Sequence, residues 1–393
     1  MDRRWGIKLC VVVLLLSGCW DRREINDVAF VVASAVDREG KQYRATLQIA
    51  LPGQMGRVGG KGGGGGTAGR RPYLIDSVVA SSVREANDRQ QKALSRQLYF
   101  AHRRVFLLGE ETARTGIESV VDVLARVPQN RLSSYVLVTE GPARDVLAAD
   151  APMEQFPAEM AREMAIAASS SPQTLKTVVE ALIAEGRDPF TPLIGIRRTD
   201  PGPSREPETL LELKGLAVFR GDRLAGFLKE KRAMGMLWAL GQTRAPTLEF
   251  PSPSGDGFMS VQFREQTAAM TPTVQGERIT VHLVLRARGT LVENNSRYAL
   301  GSDRNLARFE ENVNREVASM VTETVKQLQA LGSDPLGIGD LVHRRYPQVW
   351  HRIGRNWETR YPEVKFVVES RVRLINPGAL VEPLGVPTDV QQE

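Results

Sequence analysis

Cysteine is almost missing from this chain: Cys10 and Cys19 are the only two in 393 residues, and both fall within the first twenty. The remainder therefore cannot form a disulfide, build a thiolate metal site or use a cysteine nucleophile. Histidine is nearly as scarce. His102, His282, His343 and His351 are widely spaced, with no His-Glu-x-x-His and no carboxylate at metal-ligand spacing, so no zinc site is expected. No Gly-x-Ser-x-Gly elbow offers a hydrolase nucleophile. Lys61 is followed by Gly62 rather than Ser or Thr, which excludes a phosphate-binding loop in the glycine-rich stretch 53–69. Catalytic, cofactor-binding and metal-ligating residues are accordingly none.

Charge of one sign is also missing. The formal charge is +6, from 52 basic and 46 acidic residues, and arginines alternate with acids instead of clustering. A dedicated nucleic-acid surface is not indicated. Beyond the N-terminus no apolar run approaches about 18 residues, so the body is not expected to cross a membrane.

What is present begins at the N-terminus. Arg3, Arg4 and Lys8 precede an unbroken apolar run, Leu9 to Leu16, and Leu16-Ser17-Gly18 leads into Cys19. A basic head, a short apolar core and small residues before cysteine make a bacterial lipoprotein signal. The expectation is that residues 1–18 are removed and that Cys19 carries a diacylglyceryl anchor. Signal removal takes away three basic residues and Asp2, leaving 6 − 2 = +4.

The body reads as α+β. Val28–Val36 and Tyr43–Leu51 have strand character and pair across a turn at 38–41, and 53–69 is a flexible loop. Apolar spacing predicts helices over 74–94, 116–127, 154–169 and 174–185, and strands over 98–108 and 134–139. A short helix follows Gly141-Pro142. Prolines crowd 188–207, which reads as a domain boundary, and 246–257, which reads as a linker. Between them lie a hairpin, 210–228, and a helix carrying Met234, Leu237 and Trp238. From Met259 the pattern is β.

The longest element is an amphipathic helix over 303–331, capped by Ser302 or Asp303 and ended by Gly332, and its length suits a core helix packed across a sheet. An aromatic and basic patch, 343–362, could stack sugars or bases, but Trp and Tyr beside helices more commonly anchor a core. Val364–Leu374 alternates as a half-buried strand, with a phase shift near Ser370 that suggests a bulge. The expected organisation is three domains: an N-terminal α+β domain (19–200), a small middle one (201–257) and a C-terminal one (258–383), followed by a polar tail (384–393).

Several stretches, taken in order, resemble one family. They are Gly18-Cys19-Trp20-Asp21 with Glu24-Ile25, Phe100 to Gly109 with His102, and Gly116 to Arg131, which ends in Arg126-x-Pro128-x-x-Arg131. Next come Lys214-Gly215-Leu216-Ala217-Val218-Phe219 and Gly235-x-x-Trp238. Past the long helix follow Asp334-Pro335-Leu336-Gly337-Ile338-Gly339, Arg345-Tyr346-Pro347-x-x-Trp350 and Trp357. The series is similar to the C subunit lipoproteins of bacterial spore germination receptors, the Ger(x)C family. The glycine-rich loop is longer than that family's pattern, and Leu291-Val292-Glu293 matches it loosely.

The resemblance implies a membrane-anchored, non-enzymatic receptor subunit on the outer face of the spore inner membrane. Its partners would be an A subunit and a permease-like B subunit, in nutrient-triggered germination. A reading from another class is a lipoprotein that captures a small solute for a membrane transporter.

Overall fold

The structure, a computed structural model, describes residues 27–51, 71–200, 202 and 207–376. The signal, Cys19, the glycine-rich loop and the polar tail lie outside these residues. A large sheet forms the N-terminal body. Its strands are β1 (Val28–Glu39), β2 (Gln42–Ala50), β3 (Tyr73–Ala80), β4 (Gln97–Tyr99), β5 (Val105–Gly109), β6 (Tyr135–Thr139), β7 (Phe190–Arg198), β8 (Thr209–Arg220) and β9 (Arg223–Leu228). The spatial order is β3-β2-β1-β5-β6-β7-β8-β9, with β4 pairing on β1.

The central pairs β1–β5, β5–β6 and β6–β7 are parallel, and antiparallel strands continue the sheet on either side. Parallel strands are covered on both faces and therefore read as continuous apolar runs. In β5, Phe106 and Leu108 face one core with Val136 and Val138, and Val105 and Leu107 face the other with Leu137. The first core is closed by α3 (Glu118–Arg126) and α6 (Leu175–Ile183). The second is closed by the small residues of α4 (Ala143–Ala148) and α5 (Pro157–Ala168).

The other N-terminal helices are α1 (Val83–Ala93) and α2 (Glu110–Thr115). A single helix over 74–94 is thus replaced by a strand and a helix. Ile75, Val78 and Val79 are β-branched and half-buried in β3, and Ser82 starts α1 by accepting the Glu85 N–H at 3.1 Å. The strand expected over 98–108 is broken by a tight turn at Phe100–His102, which lets β4 pair with the start of β1 and β5 with its later residues.

The proline-rich stretch contains β7. Pro192 precedes Leu193 and Ile194, the two residues that pair with β6, so its missing N–H interrupts no bond on that side.

The second sheet is β10-β11-β12-β13: β10 (Thr247–Pro251), β11 (Phe258–Gln275), β12 (Arg278–Asn295) and β13 (Lys365–Asn376). β10 stands where the sequence suggests only a linker. β12 and β13 are parallel, and the chain between them forms α8 (Asp303–Leu331), α9 (Ile338–Arg345), α10 (Pro347–Ile353) and α11 (Trp357–Arg360).

Helix α8 has the bounds expected of it. Ser302 accepts the Asn305 N–H, Gly332 ends the helix at φ 62°, and Phe309, Val313, Val317, Val321, Val325 and Leu328 are buried. Its Asn314 reaches β13: Oδ1 accepts from Ser370 Oγ at 2.9 Å and Val372 N at 2.6 Å, and Nδ2 donates to Val372 O at 3.1 Å. Ser370 keeps the inward phase of its neighbours, so no bulge occurs there; the register shift lies further on, opposite Gly289 and Thr290.

The segment 201–257, expected as a middle domain, is divided. β8 and β9 extend the first sheet, whereas α7 (Glu230–Ala239) packs against α8 and buries Met236 and Trp238 on the second core, with Trp238 4.8 Å from Phe263. Phe190, Leu216, Val218 and Leu228 of the first sheet belong to that same core cluster. A six-residue hairpin strand buries too little surface to stand alone, so the hairpin and helix each join the nearest large core.

Candidate functional site

The patch at 343–362 divides: most of its charged and polar residues are exposed, whereas its main aromatic rings turn inward. Trp350, Trp357 and Tyr361 are buried, Trp357 lies 5.3 Å from Trp350 and 6.0 Å from Tyr361, and the His343 ring stacks 5.5 Å from Trp350. These rings anchor a core and offer no open stacking face. His282 and His351 are exposed. His102 packs beside Phe30 and Tyr99, where burial, then nearby Arg131 and Arg104, lower its pKa. Among the described residues no group of three or more His, Cys, Asp or Glu could hold a metal ion.

The chemistry that stands out is a pair of carboxylates where the two halves of the chain meet. Asp334 follows the end of α8 and is 1% exposed. Its carboxylate accepts from the N–H groups of Ile338 and Gly339, at 3.0 and 2.9 Å, and from Trp357 Nε1 at 3.0 Å. Its backbone N–H donates to Asp188 Oδ2 at 2.7 Å, and the Asp188 N–H donates to Asp334 O at 3.0 Å. Asp188 Oδ1 also accepts from Gly221 N, in the β8–β9 turn, at 2.7 Å. Residues 146 positions apart are thus tied in both directions.

Burial disfavours the charged form of both acids, and the donors oppose it only in part. The Asp334 carboxyl is pushed up to about 7, chiefly by desolvation, and that of Asp188 is raised for the same reason. Around them the halves make backbone contact. The Asp340 N–H donates to Gly186 O at 3.0 Å, and Trp350 Nε1 donates to Glu185 Oε2 at 2.7 Å. Gly186, at φ +74°, lies so close to Gly339 that a Cβ would come within 2.7 Å of that backbone. The junction is a clasp in which both carboxylate oxygens of Asp188 and of Asp334 are occupied by protein donors.

A second buried acid, Asp37 at the end of β1, accepts from the Ala143 and Arg144 N–H groups, at 2.6 and 3.0 Å, where α4 begins. Desolvation raises its pKa while those donors lower it. Elsewhere, α7, β10 and α8 bound an open groove of about 970 Å³ whose lining includes Lys229, Lys231, Arg232, Glu316 and Glu323.

Sequence reasoning named Asp334 within a motif but missed Asp188. The available signal was that both are Asp-Pro dipeptides after a glycine-containing stretch. Cys19, expected to carry the lipid, lies outside the described residues.

Comparison with known proteins accounts for the whole body. Residues 21–196 match the family described as spore germination protein N-terminal domain, and residues 214–378 match spore germination B3/GerAC like, C-terminal. YfkR of Bacillus subtilis (strain 168) is 38% identical over 374 residues, covering 95% of this chain and 96% of that protein. Spore germination protein KC of the same organism is 25% identical over 397 residues, covering 96% and 97%. The crystal structure of the GerBC protein matches the fold with a TM-score of 0.58 at 18% identity, over 87% of this chain and 97% of that one. With both family domains matched in order and this likeness running nearly end to end, the chain belongs to the Ger(x)C family of spore germination proteins.

Proposed function

We propose that the protein is the lipid-anchored C subunit of a germinant receptor. It is tethered through Cys19 to the outer face of the spore inner membrane and works by contact with an A subunit and a permease-like B subunit, without catalysis. The observation that carries this reading is the ordered match of both halves of the chain to spore germination families. The lipoprotein signal ending at Cys19 supplies the anchor. The clasped halves offer one rigid body to partners.

Two acyl chains at about 0.8 kcal/mol per buried methylene give durable attachment. Replacing Cys19 by Ala in the native host should therefore release the protein from spore membranes or leave it unprocessed, and should weaken the germination response. Retention of both attachment and response would refute the anchor. Deletion of the gene with an unaltered response to every nutrient would refute the receptor role. The solute-capture reading needs two lobes that hinge around a cleft, and the shared core and the Gly186–Gly339 contact weigh against such a hinge.

A further inference from the structure

Val28, the first residue of β1, stands nine positions after Cys19. At no more than about 3.3–3.6 Å per residue, the intervening chain reaches roughly 30 Å. A domain the size of the N-terminal body is roughly 40 Å across. An anchor at Cys19, the part of the proposed function on which this inference rests, therefore brings the end of that body where β1 begins toward the bilayer and holds the far end off it.

Four strands start toward that end. Val28 and Gln97 pair in the parallel β1–β4 ladder, Arg104 N donates to Val32 O at 2.9 Å, and Tyr135 N donates to Arg104 O at 2.8 Å. The residues leading into β4, β5 and β6 are thus set side by side: Arg96, Arg104 and Arg131-Leu132 are all exposed, Leu132 by 46%. Lys92, in the last turn of α1, joins them, because its neighbour Gln91 donates from Nε2 to Arg96 O at 3.0 Å. Other cations of α1 are paired, Arg84 with Asp88 and Arg89 with Glu85, and Arg104 meets Glu159, which Arg162 also holds. Among the described residues Lys92, Arg96 and Arg131 make no ion pair. Buried Arg103, its guanidinium over the rings of Phe100 and Phe106, makes none either and adds its charge from within. Cations scattered along the sequence are collected by the alignment of strand starts.

We propose that this end of the sheet is a membrane-contact face, on which Lys92, Arg96, Arg104 and Arg131 meet anionic lipid headgroups and Leu132 sits among them. Attraction of this kind strengthens binding about fivefold for each basic residue near the surface and fades within a Debye length, about 8 Å at physiological salt. The tether holds the patch where so short a range acts, so modest affinity suffices. It also favours lipid over a protein partner as the occupant, since each arrangement it allows keeps the patch near headgroups. Acyl chains set the distance of the body from the membrane; the patch sets which way the body faces.

The test uses the mature chain, residues 19–393, with Cys19→Ser, so that no acyl chain contributes and a failed patch is told apart from a failed anchor. Flotation is measured with vesicles of phosphatidylcholine alone and of equal parts phosphatidylcholine and phosphatidylglycerol. The chain should float with the anionic vesicles in about 0.1 M salt, lose them in about 1 M salt, and ignore pure phosphatidylcholine. The triple variant Lys92→Gln, Arg96→Gln, Arg131→Gln should bind about tenfold or more weakly at an unchanged unfolding midpoint. Arg345→Gln, Arg352→Gln, Arg355→Gln, which removes three exposed cations from the other half, should bind as the parent does. With no cysteine left, Leu132→Cys or Val292→Cys carries a single polarity-sensitive dye. The dye at 132 should shift to the blue on anionic vesicles and the dye at 292 should not, a readout that stands even if the triple variant fails to fold. The proposal is overturned if the anionic vesicles leave the chain unbound, if both triple variants lose binding alike, or if the dye at 132 stays in water. It is also overturned if the first variant keeps lipid binding and loses a receptor subunit instead.

Discussion

Replacing Asp334 by asparagine should flatten part of the protein's pH–stability profile. In the folded protein the Asp334 carboxyl titrates near 7 because it is buried, against 3.8 in an unfolded chain. The folded state therefore holds one more proton than the unfolded state between these values, and the group's stabilising contribution is lost as pH rises through 7. Integrated between pH 5 and pH 8, the loss is about 2.6 kcal/mol, at 1.36 kcal/mol per pH unit of full proton difference. The amide of the D334N side chain cannot titrate. Asp188 remains in both proteins, so its own dependence largely cancels in the comparison.

The assay is urea unfolding of wild-type and D334N protein, in the same detergent, at pH 5, 6, 7 and 8. The variant is less stable throughout the acid range, because its amide NH2 brings two hydrogens to a site of three N–H donors, whereas the protonated carboxyl there brings one. The gap between the two proteins should narrow by about 2.6 kcal/mol from pH 5 to pH 8. Parallel profiles would refute the reasoning, since the carboxyl would then titrate alike in both states.

Two glycines test the clasp against a simple turn. Gly186→Ala should cost roughly 2–4 kcal/mol, combining an unfavourable positive φ with overpacking against the Gly339 backbone. Gly332→Ala, also at positive φ but with no atom nearer than 3.6 Å to the added Cβ, should cost only about 1–2 kcal/mol. Both are read from denaturation midpoints, and equal costs would refute the close approach of the halves. Phe309→Ala, a fully buried ring on α8, should cost about 3–5 kcal/mol in the same assay. A cost under about 1 kcal/mol would show that α8 does not carry the core.

Legibility tracked how local each signal was. Helix α8 was readable to its bounds because 29 residues sample the 3.6-residue period many times and both caps are sequence-local. The β1–β2 and β8–β9 hairpins were readable from alternation and their turns. Over 74–80 helical spacing misreads β3, because partial burial on both faces of a strand imitates that spacing. Ser370 seemed to break a phase only because a hydroxyl stood where an apolar residue was expected; its partner is Asn314, 56 positions away.

The sequence by itself determined the absence of cysteine after Cys19, the α+β class and the family resemblance. These rest on residue identity and short-range period, which a linear string records. Tertiary structure alone decided that 201–257 is shared between two cores, that Asp188 and Asp334 clasp the halves, and that Arg103 meets no acid among the described residues. The physical reason is that the cost of a buried charge or close backbone contact depends on which distant groups meet it, and local patterning encodes burial without naming the partner.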